Sequence, residues 1–163
     1  MTVTVNVTGI DETVSRLRQY QERVKQKKNE LCNRLASLGA TNVSILFSRA
    51  FYTGDNDFTV TVEESNGGYV IAVSGQSVAF VEFGAGITYG SGHPMAAQFG
   101  AGPGTYPGQK HAFDPKGWYL PKEKRAADGT KHTYGNPPAM PMYNTVQELK
   151  QEMARVAREV FSS

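Results

Sequence analysis

The chain has 163 residues, of which 39% are apolar and 20% charged, and a formal net charge of +2. This length predicts a single domain, and so small a charge does not by itself indicate nucleic acid or acidic lipid as a partner. A lone cysteine, Cys32, excludes an internal disulfide and is expected to be a small buried side chain. No apolar stretch approaches a membrane span and no signal peptide is recognisable, so we expect cytoplasmic synthesis and no membrane partner.

The first predicted elements are a strand and a long helical region. Residues 2–8 alternate valine with threonine or asparagine, which is typical of a half-buried strand. Asp11 is the predicted N-cap of a helix over about 11–23, and a second helix is predicted over about 25–50. The apolar helical spacing continues from the first helix into the second, and a bend is expected near Lys27-Lys28-Asn29.

One face of this helical region is basic, and its members are Arg16, Arg18, Arg23, Lys25, Lys27, Lys28 and Arg34. A solvated helix surface is the simplest interpretation of such a face. The alternatives are a surface that meets an acidic partner, another subunit or DNA.

Strands follow the helices. Residues 58–63 alternate, Ser65 to Gly68 supply a turn, and Tyr69 to Ser74 form the returning strand, so a hairpin is predicted. A third strand is predicted over Val78 to Phe83, which would place Glu82 and Phe80 on the same face.

Glycine and proline interrupt the chain over about 85–138, where we predict a long loop. Within the loop, residues 117–120 and 131–134 are predicted to pair as a small hairpin. A final amphipathic helix runs from about Met142, with Pro141 near its start. The order predicts one α+β domain over 1–163, in which a small antiparallel sheet packs against the N-terminal helical region and the C-terminal helix.

The sequence offers little that would support catalysis or a cofactor. His93, His111 and His132 have no metal-binding spacing and are expected to be polar surface residues, so no metal is predicted. Two Gly-rich segments lack the lysine and spacing of nucleotide-binding loops, so no cofactor is predicted either. An enzyme built around Glu82 and a loop histidine remains an alternative, as does a DNA-binding module that uses the basic helices.

Two motifs separated by the long loop carry a resemblance to a known family. They are Val81-Glu82-Phe83-Gly84 and the run from Gly135 to Tyr143, with Gly117-Trp118-Tyr119-Leu120 between them. With this order of elements, the chain resembles the tail-completion, or head–tail joining, proteins of long-tailed bacteriophages and related prophages. The family often has an aromatic residue where this chain has Met142.

The resemblance implies a virion structural protein rather than an enzyme. Such proteins are similar to subunits that form a ring of about six copies at the phage neck. Their partners are further copies and the neighbouring connector and tail-tube proteins, and DNA passes through the channel without specific binding. Assembly takes place in the host cytoplasm, and the long loop is expected to order against neighbours. A tail terminator and a head-closure protein of the same neck are close alternatives.

The residues expected to lie in or to shape subunit interfaces come from four places: the end of the third strand, the loop, the start of the last helix, and the basic face of the N-terminal helical region. They are Glu82, Phe83, Gly84, Trp118, Tyr119, Pro138, Pro141, Met142, Lys25, Lys27 and Lys28. For Glu82 we expect an ion pair or a backbone contact across a subunit boundary.

Overall fold

A computed structural model describes Val3 and residues 8–50, 57–88, 92–100, 114–119 and 132–162. In chain order the α-helices and β-strands are α1 (Ile10–Arg49), β1 (Thr59–Ser65), β2 (Gly68–Ser74), α2 (Val78–Phe83), β3 (Trp118–Tyr119), β4 (His132–Thr133) and α3 (Pro141–Ser162), and a 3-10 turn over Ala96–Phe99 lies between α2 and β3. A long N-terminal helix, a small antiparallel sheet and a C-terminal helix confirm the predicted α+β class. The strand predicted over 2–8 lies outside the described residues, apart from Val3 and Thr8.

Helix α1 is one continuous helix of 40 residues, about 60 Å long. The prediction of two separate helices is therefore wrong. No proline interrupts the segment, so nothing in its sequence forces the backbone to depart from the helix. The helix also begins earlier than predicted. Gly9 is its N-cap at φ 89°, and Asp11 lies within the first turn, where its charge is favourable.

The predicted hairpin is confirmed as β1–β2, with a register from Thr59 opposite Ser74 to Ser65 opposite Gly68. Its turn consists of Asn66 and Gly67, with φ of 51° and 73°. Positive φ at both central residues is the type I′ geometry that matches the twist of a tight hairpin. The hairpin lies against α1, and Asn33 of the helix contacts Tyr69 of β2 by a hydrogen bond of 3.3 Å.

The third predicted strand, Val78 to Phe83, is instead the short helix α2. Its backbone turns are closed by hydrogen bonds from Val81 N–H to Ser77 and from Gly84 N–H to Phe80. A short apolar run does not distinguish a buried strand from a buried helix by its periodicity. The helical form buries the adjacent residues Val81 and Glu82 together, whereas a strand would direct them to opposite faces.

The core lies where α1, the hairpin and α2 meet. Val43 and Phe47 of α1 and Val81 of α2 are fully buried. The Phe47 ring is 5.3 Å from the ring of Phe58, which precedes β1. The half-buried side chains that surround this centre are Ala50, Phe58, Val60, Ile71, Val73, Val78, Ala139 and Met142.

Helices α1 and α3 pack side by side in opposite directions. Near the start of α3, Asn42 Nδ2 donates to Glu148 Oε2 at 2.7 Å. Near its end, Lys27 Nζ donates to the Val160 carbonyl, also at 2.7 Å. Because α3 ends beside Lys27, residues 10–26 of α1 extend about 25 Å beyond this contact, and all of them are exposed.

The predicted apolar face of α3 is only partly covered. Val156 and Val160 are buried, whereas Val146 and Met153, at helical spacing along the same helix, are about half exposed. No helix in the described part of the chain is long and apolar enough to cross a membrane.

Strands β3 and β4 form the small hairpin predicted within the loop, with Trp118 opposite Thr133 and Tyr119 opposite His132. Residues 120–131, which join the two strands, lie outside the described ranges.

Gly39 permits the close approach of three elements. A Cβ at this position would lie 2.6 Å from Ile71 Cδ1 of β2 and 2.9 Å from Leu149 Cδ1 of α3. We expect Gly39→Val to lower the free energy of unfolding by about 1–3 kcal/mol, because overpacking outweighs the gain in helix propensity.

Urea unfolding of the variant measures this loss, with Ser37→Val as the control at an exposed position of the same helix. An equal effect of the two substitutions would contradict the packing argument.

Candidate functional site

The two motifs that are separated in the sequence are joined in the structure. Ala85 and Asn136 exchange two backbone hydrogen bonds of 2.9 and 3.0 Å. Ala139 N–H donates to the Val81 carbonyl at 2.9 Å, and Asn136 Nδ2 donates to the Phe80 carbonyl at 2.9 Å. The end of α2 and the segment before α3 therefore form one unit, which we call the motif junction (residues 80–85 and 135–143).

Gly84 is required by the closeness of the two segments. Its φ is 78°, and a Cβ would lie 2.8 Å from the Pro138 nitrogen and 2.9 Å from the Asn136 carbonyl oxygen. A side chain at this position would be strained by its backbone conformation and would also collide with the neighbouring backbone. Gly84 and the half-buried Pro138 thus shape the junction within one chain.

Glu82 lies at the centre of the motif junction, against the N-terminus of α3. Its Oε2 accepts the Met142 N–H at 2.8 Å, and its Oε1 accepts the Tyr143 N–H at 3.0 Å. The next N–H, from Asn144, donates to the Met140 carbonyl at 2.9 Å. Pro141 is the first helical residue and has no N–H, so the first turn of α3 has its backbone donors satisfied.

His93 is the second buried polar side chain of the junction. Its Nε2 is 3.0 Å from Glu82 Oε1, and its Nδ1 accepts the Met95 N–H at 3.1 Å. An accepting Nδ1 assigns the ring proton to Nε2, which donates to Glu82. The prediction that His93 is a surface residue is wrong, since the ring is enclosed by Phe83 at 4.5 Å and Tyr143 at 5.6 Å.

The arrangement is that of a helix cap made by a side chain from a distant part of the sequence. Both Glu82 oxygens are directed to donors, and three hydrogen bonds and the helix dipole compensate for the burial of the charge. We expected an ion pair or a backbone contact of Glu82 across a subunit boundary; in the structure its backbone contacts are with Met142 and Tyr143 of the same chain. Among the described residues, no group of three or more His, Cys, Asp or Glu side chains is placed to hold a metal ion.

The other aromatic residues expected at interfaces differ in exposure. Trp118 is half-buried, and its ring edge lies close to Gly86, where a Cβ would be 3.2 Å away. Tyr119 is 74% exposed, and its ring contacts that of His132 at 5.0 Å. Phe83 also contacts Phe99 at 5.6 Å. Of the three aromatic residues expected at interfaces, Phe83, Trp118 and Tyr119, only Tyr119 is mostly exposed.

Pro141 and Met142 have different surroundings at the start of α3. Pro141 is fully buried, whereas Met142 is half-buried and packs against the core of Val43, Phe47 and Val81. These contacts fix the start of α3 relative to the rest of the fold.

The three lysines of the basic face that we expected at interfaces differ in what they contact. Lys27 donates to the Val160 carbonyl in the last turn of α3, where a cation is favourable. Lys28 Nζ donates to the Gly67 carbonyl of the β1–β2 turn at 3.1 Å. Lys25 is exposed on the part of α1 that extends beyond α3. Two of the three lysines thus hold elements together.

Cys32 is half-buried rather than fully buried. It lines a groove of about 220 Å³ with Leu35, Ala36, Tyr69, Ile71 and Leu149. The groove is apolar and contains neither Glu82 nor His93.

Sequence reasoning identified Glu82 but missed His93 and Asn136. His93 lies in the loop without any spacing signal that links it to Glu82. Asn136 lies inside a motif that we had recognised, and a polar residue between glycine and proline indicates a turn rather than a bond to Phe80.

Comparison of the chain with protein-family models, with curated proteins and with solved structures finds no match.

The role of Glu82 predicts a loss of stability on substitution. Glu82→Gln keeps the size of the side chain but replaces one accepting oxygen by a donor, which would face an N–H of Met142 or Tyr143. We expect the free energy of unfolding to fall by about 2 kcal/mol and the amide protons of both residues to exchange faster.

Chemical unfolding and amide hydrogen exchange measure the two effects. Glu64→Gln is the matched control, because Glu64 is exposed on β1. Unchanged exchange at Met142 and Tyr143 would contradict the capping role.

Proposed function

We propose that this protein is a non-enzymatic structural subunit of the neck of a long-tailed bacteriophage, which completes the tail and joins it to the head. The observation that carries the proposal is the motif junction. The Val-Glu-Phe-Gly motif and the motif before the last helix, which together carry the family resemblance, form one hydrogen-bonded unit around Glu82.

The base of the long loop supports this proposal. The chain leaves the junction after Ala85 and returns to it at Asn136, where the two residues pair as an antiparallel bridge. A segment that leaves and returns at one point can vary in length and sequence without disturbing the fold that carries it. This is the arrangement expected of a fixed frame that carries a loop able to contact neighbouring proteins.

The exposed part of α1 supports it as well. We call residues 10–26 the arm; its apolar side chains follow helical spacing but are exposed in the single chain: Ile10, Val14, Leu17, Tyr20 and Val24. An apolar stripe on a projecting helix is typical of a surface that a partner covers. A subunit of a larger assembly would have such a partner.

In this proposal the chain acts as one of about six copies in a ring and contacts connector or tail-tube proteins. Phage DNA passes through the ring, so the exposed basic residues of the arm would face acidic neighbours rather than the channel. Tail completion is the role that we favour, and tail terminator and head-closure protein are the finer alternatives within the same neck.

Immunolabelling of particles tests the proposal directly. With an antibody against this protein, electron microscopy of the phage that encodes it is expected to show label at the head–tail junction. Mass spectrometry of purified particles is the control for a hidden epitope. Absence of the protein by both methods would refute the neck assignment.

The basic residues of the arm also favour a second candidate function, DNA binding. Reversing the charge of two of these residues distinguishes DNA binding from head–tail joining. We expect Arg18→Glu with Lys25→Glu to reduce head–tail joining at least tenfold in a complementation assay, because the arm would then repel an acidic neighbour. Both residues are exposed, so folding should be unaffected.

The control is Lys150→Glu, at an exposed position on α3. A mobility shift of duplex DNA that the double variant abolishes and that falls steeply with salt would favour the DNA-binding function instead. Normal joining by the double variant would remove the arm from the interface.

A further inference from the structure

The β1–β2 sheet has an open edge. In the described part of the chain, β1 pairs with β2 alone. Because the tight turn makes Ser65 and Gly68 a hydrogen-bonded pair, alternation directs the N–H and C=O groups of Val60, Val62 and Glu64 away from β2. A two-stranded sheet is marginal by itself, and such a row of backbone groups is a template for another strand.

An apolar groove lies beside this edge. It has a volume of about 410 Å³ and is lined by Ala40, Thr41, Ser44, Ile45, Val60 and Val62. Val62 is 43% exposed and Ile45 is 41% exposed, although both belong to the side on which the hairpin meets α1. A third strand beside β1 would direct alternate side chains into this groove and cover both residues.

The sequence contains a segment with the pattern that this edge requires. Residues 2–8 carry valines at alternate positions and threonine or asparagine between them. Strand β1 has the same pattern, with Val60 and Val62 on the inner face and Thr59 and Thr61 on the outer face. Cross-strand pairs of valine with valine and of threonine with threonine are favourable. Val3 is 84% exposed, so the single chain leaves it uncovered.

The segment cannot reach the groove of its own chain. It joins α1 at Gly9, whereas the groove lies along Ala40 to Ile45, at least 30 residues further along a continuous helix. That separation is about 45 Å, and residues 2–8 span only about 24 Å when fully extended. The occupant with the matching pattern must therefore come from another copy.

We propose that residues 2–8 of one copy add as a third strand to the β1 edge of a second copy, with their valines in the groove over α1. The inference shares with the proposed function only the expectation of self-association. Its test uses purified protein, so its outcome is independent of where the protein lies in a particle.

Disulfide cross-linking between two differently labelled copies tests the contact. In a Cys32→Ser background, one copy carries Thr2→Cys, Thr4→Cys or Asn6→Cys, and the other carries Thr61→Cys on the outer face of β1. Adjacent strands bring paired Cβ atoms to within about 5.5 Å, so one of the three combinations should form a disulfide between copies.

The matched control is Ala72→Cys, which is exposed on β2 directly opposite Thr61. A strand added to β1 lies about 9.6 Å from β2, too far for a disulfide. Links to position 72 in place of position 61, or links within one chain only, would overturn the proposal.

Sedimentation measures the effect on association. We expect Val62→Lys, and separately Val3→Asp with Val5→Asp, to weaken self-association at least tenfold, because each puts a charge into the apolar contact. Val70→Lys is the control, since Val70 is also about half exposed but faces away from the groove. A protein that stays monomeric and forms no disulfide between copies at millimolar concentration overturns the proposal. Weaker self-association of Val62→Lys without weaker self-association of the N-terminal variant overturns it as well.

Discussion

The contact between the Glu82 carboxylate and the first turn of α3 is the constraint on which the rest of the structure depends. A buried carboxylate is costly unless donors surround it, and Glu82 receives the Met142 and Tyr143 N–H groups and the His93 ring proton. These donors come from separate parts of the chain, so the charge is stabilised only when the loop and α3 are both in place. Because the neighbouring Val81 is fixed in the core, Glu82 helps, with the packing of Pro141 and Met142, to place the start of α3.

Helix α3 is held at its other end by the opposite charge. The Lys27 ammonium binds the Val160 carbonyl, so a carboxylate lies at the positive end of the helix dipole and a cation at the negative end. Both charged side chains come from outside α3, Lys27 from α1 and Glu82 from α2, so the position of α3 depends on both of these helices. Between the two ends, Gly39 of α1 allows Leu149 to approach the helix backbone, and the long α1 acts as the support to which the hairpin and α3 are attached.

The two hairpins could be predicted from the sequence, because their turn residues and alternating strands are close together in the chain. The Asn66-Gly67 turn determined the hairpin, and the Trp118 and His132 strands were found from their flanking turn residues. The strand prediction for Val78 to Phe83 was wrong, because an apolar run without alternation fits a buried helix as well as a strand. The helix is favoured because it buries Glu82 against α3, and this contact with a distant element is not visible in the local sequence. His93 could not be predicted, since only the folded loop brings it to Glu82.

Hydrogen-bonded polar groups and exposed apolar side chains lie in different parts of the structure. The Glu82 carboxylate has hydrogen-bond donors on both oxygens, and the backbone segments around it approach so closely that Gly84 is required. Away from that centre, the apolar stripe of the arm, Val62 and Ile45 beside the open edge of β1, and Val146 and Met153 on α3 are uncovered in the single chain. A monomer gains nothing from exposing these side chains, whereas a subunit gains association free energy when neighbours cover them. The described chain thus combines a hydrogen-bonded junction around Glu82 with apolar surfaces that the single chain does not cover.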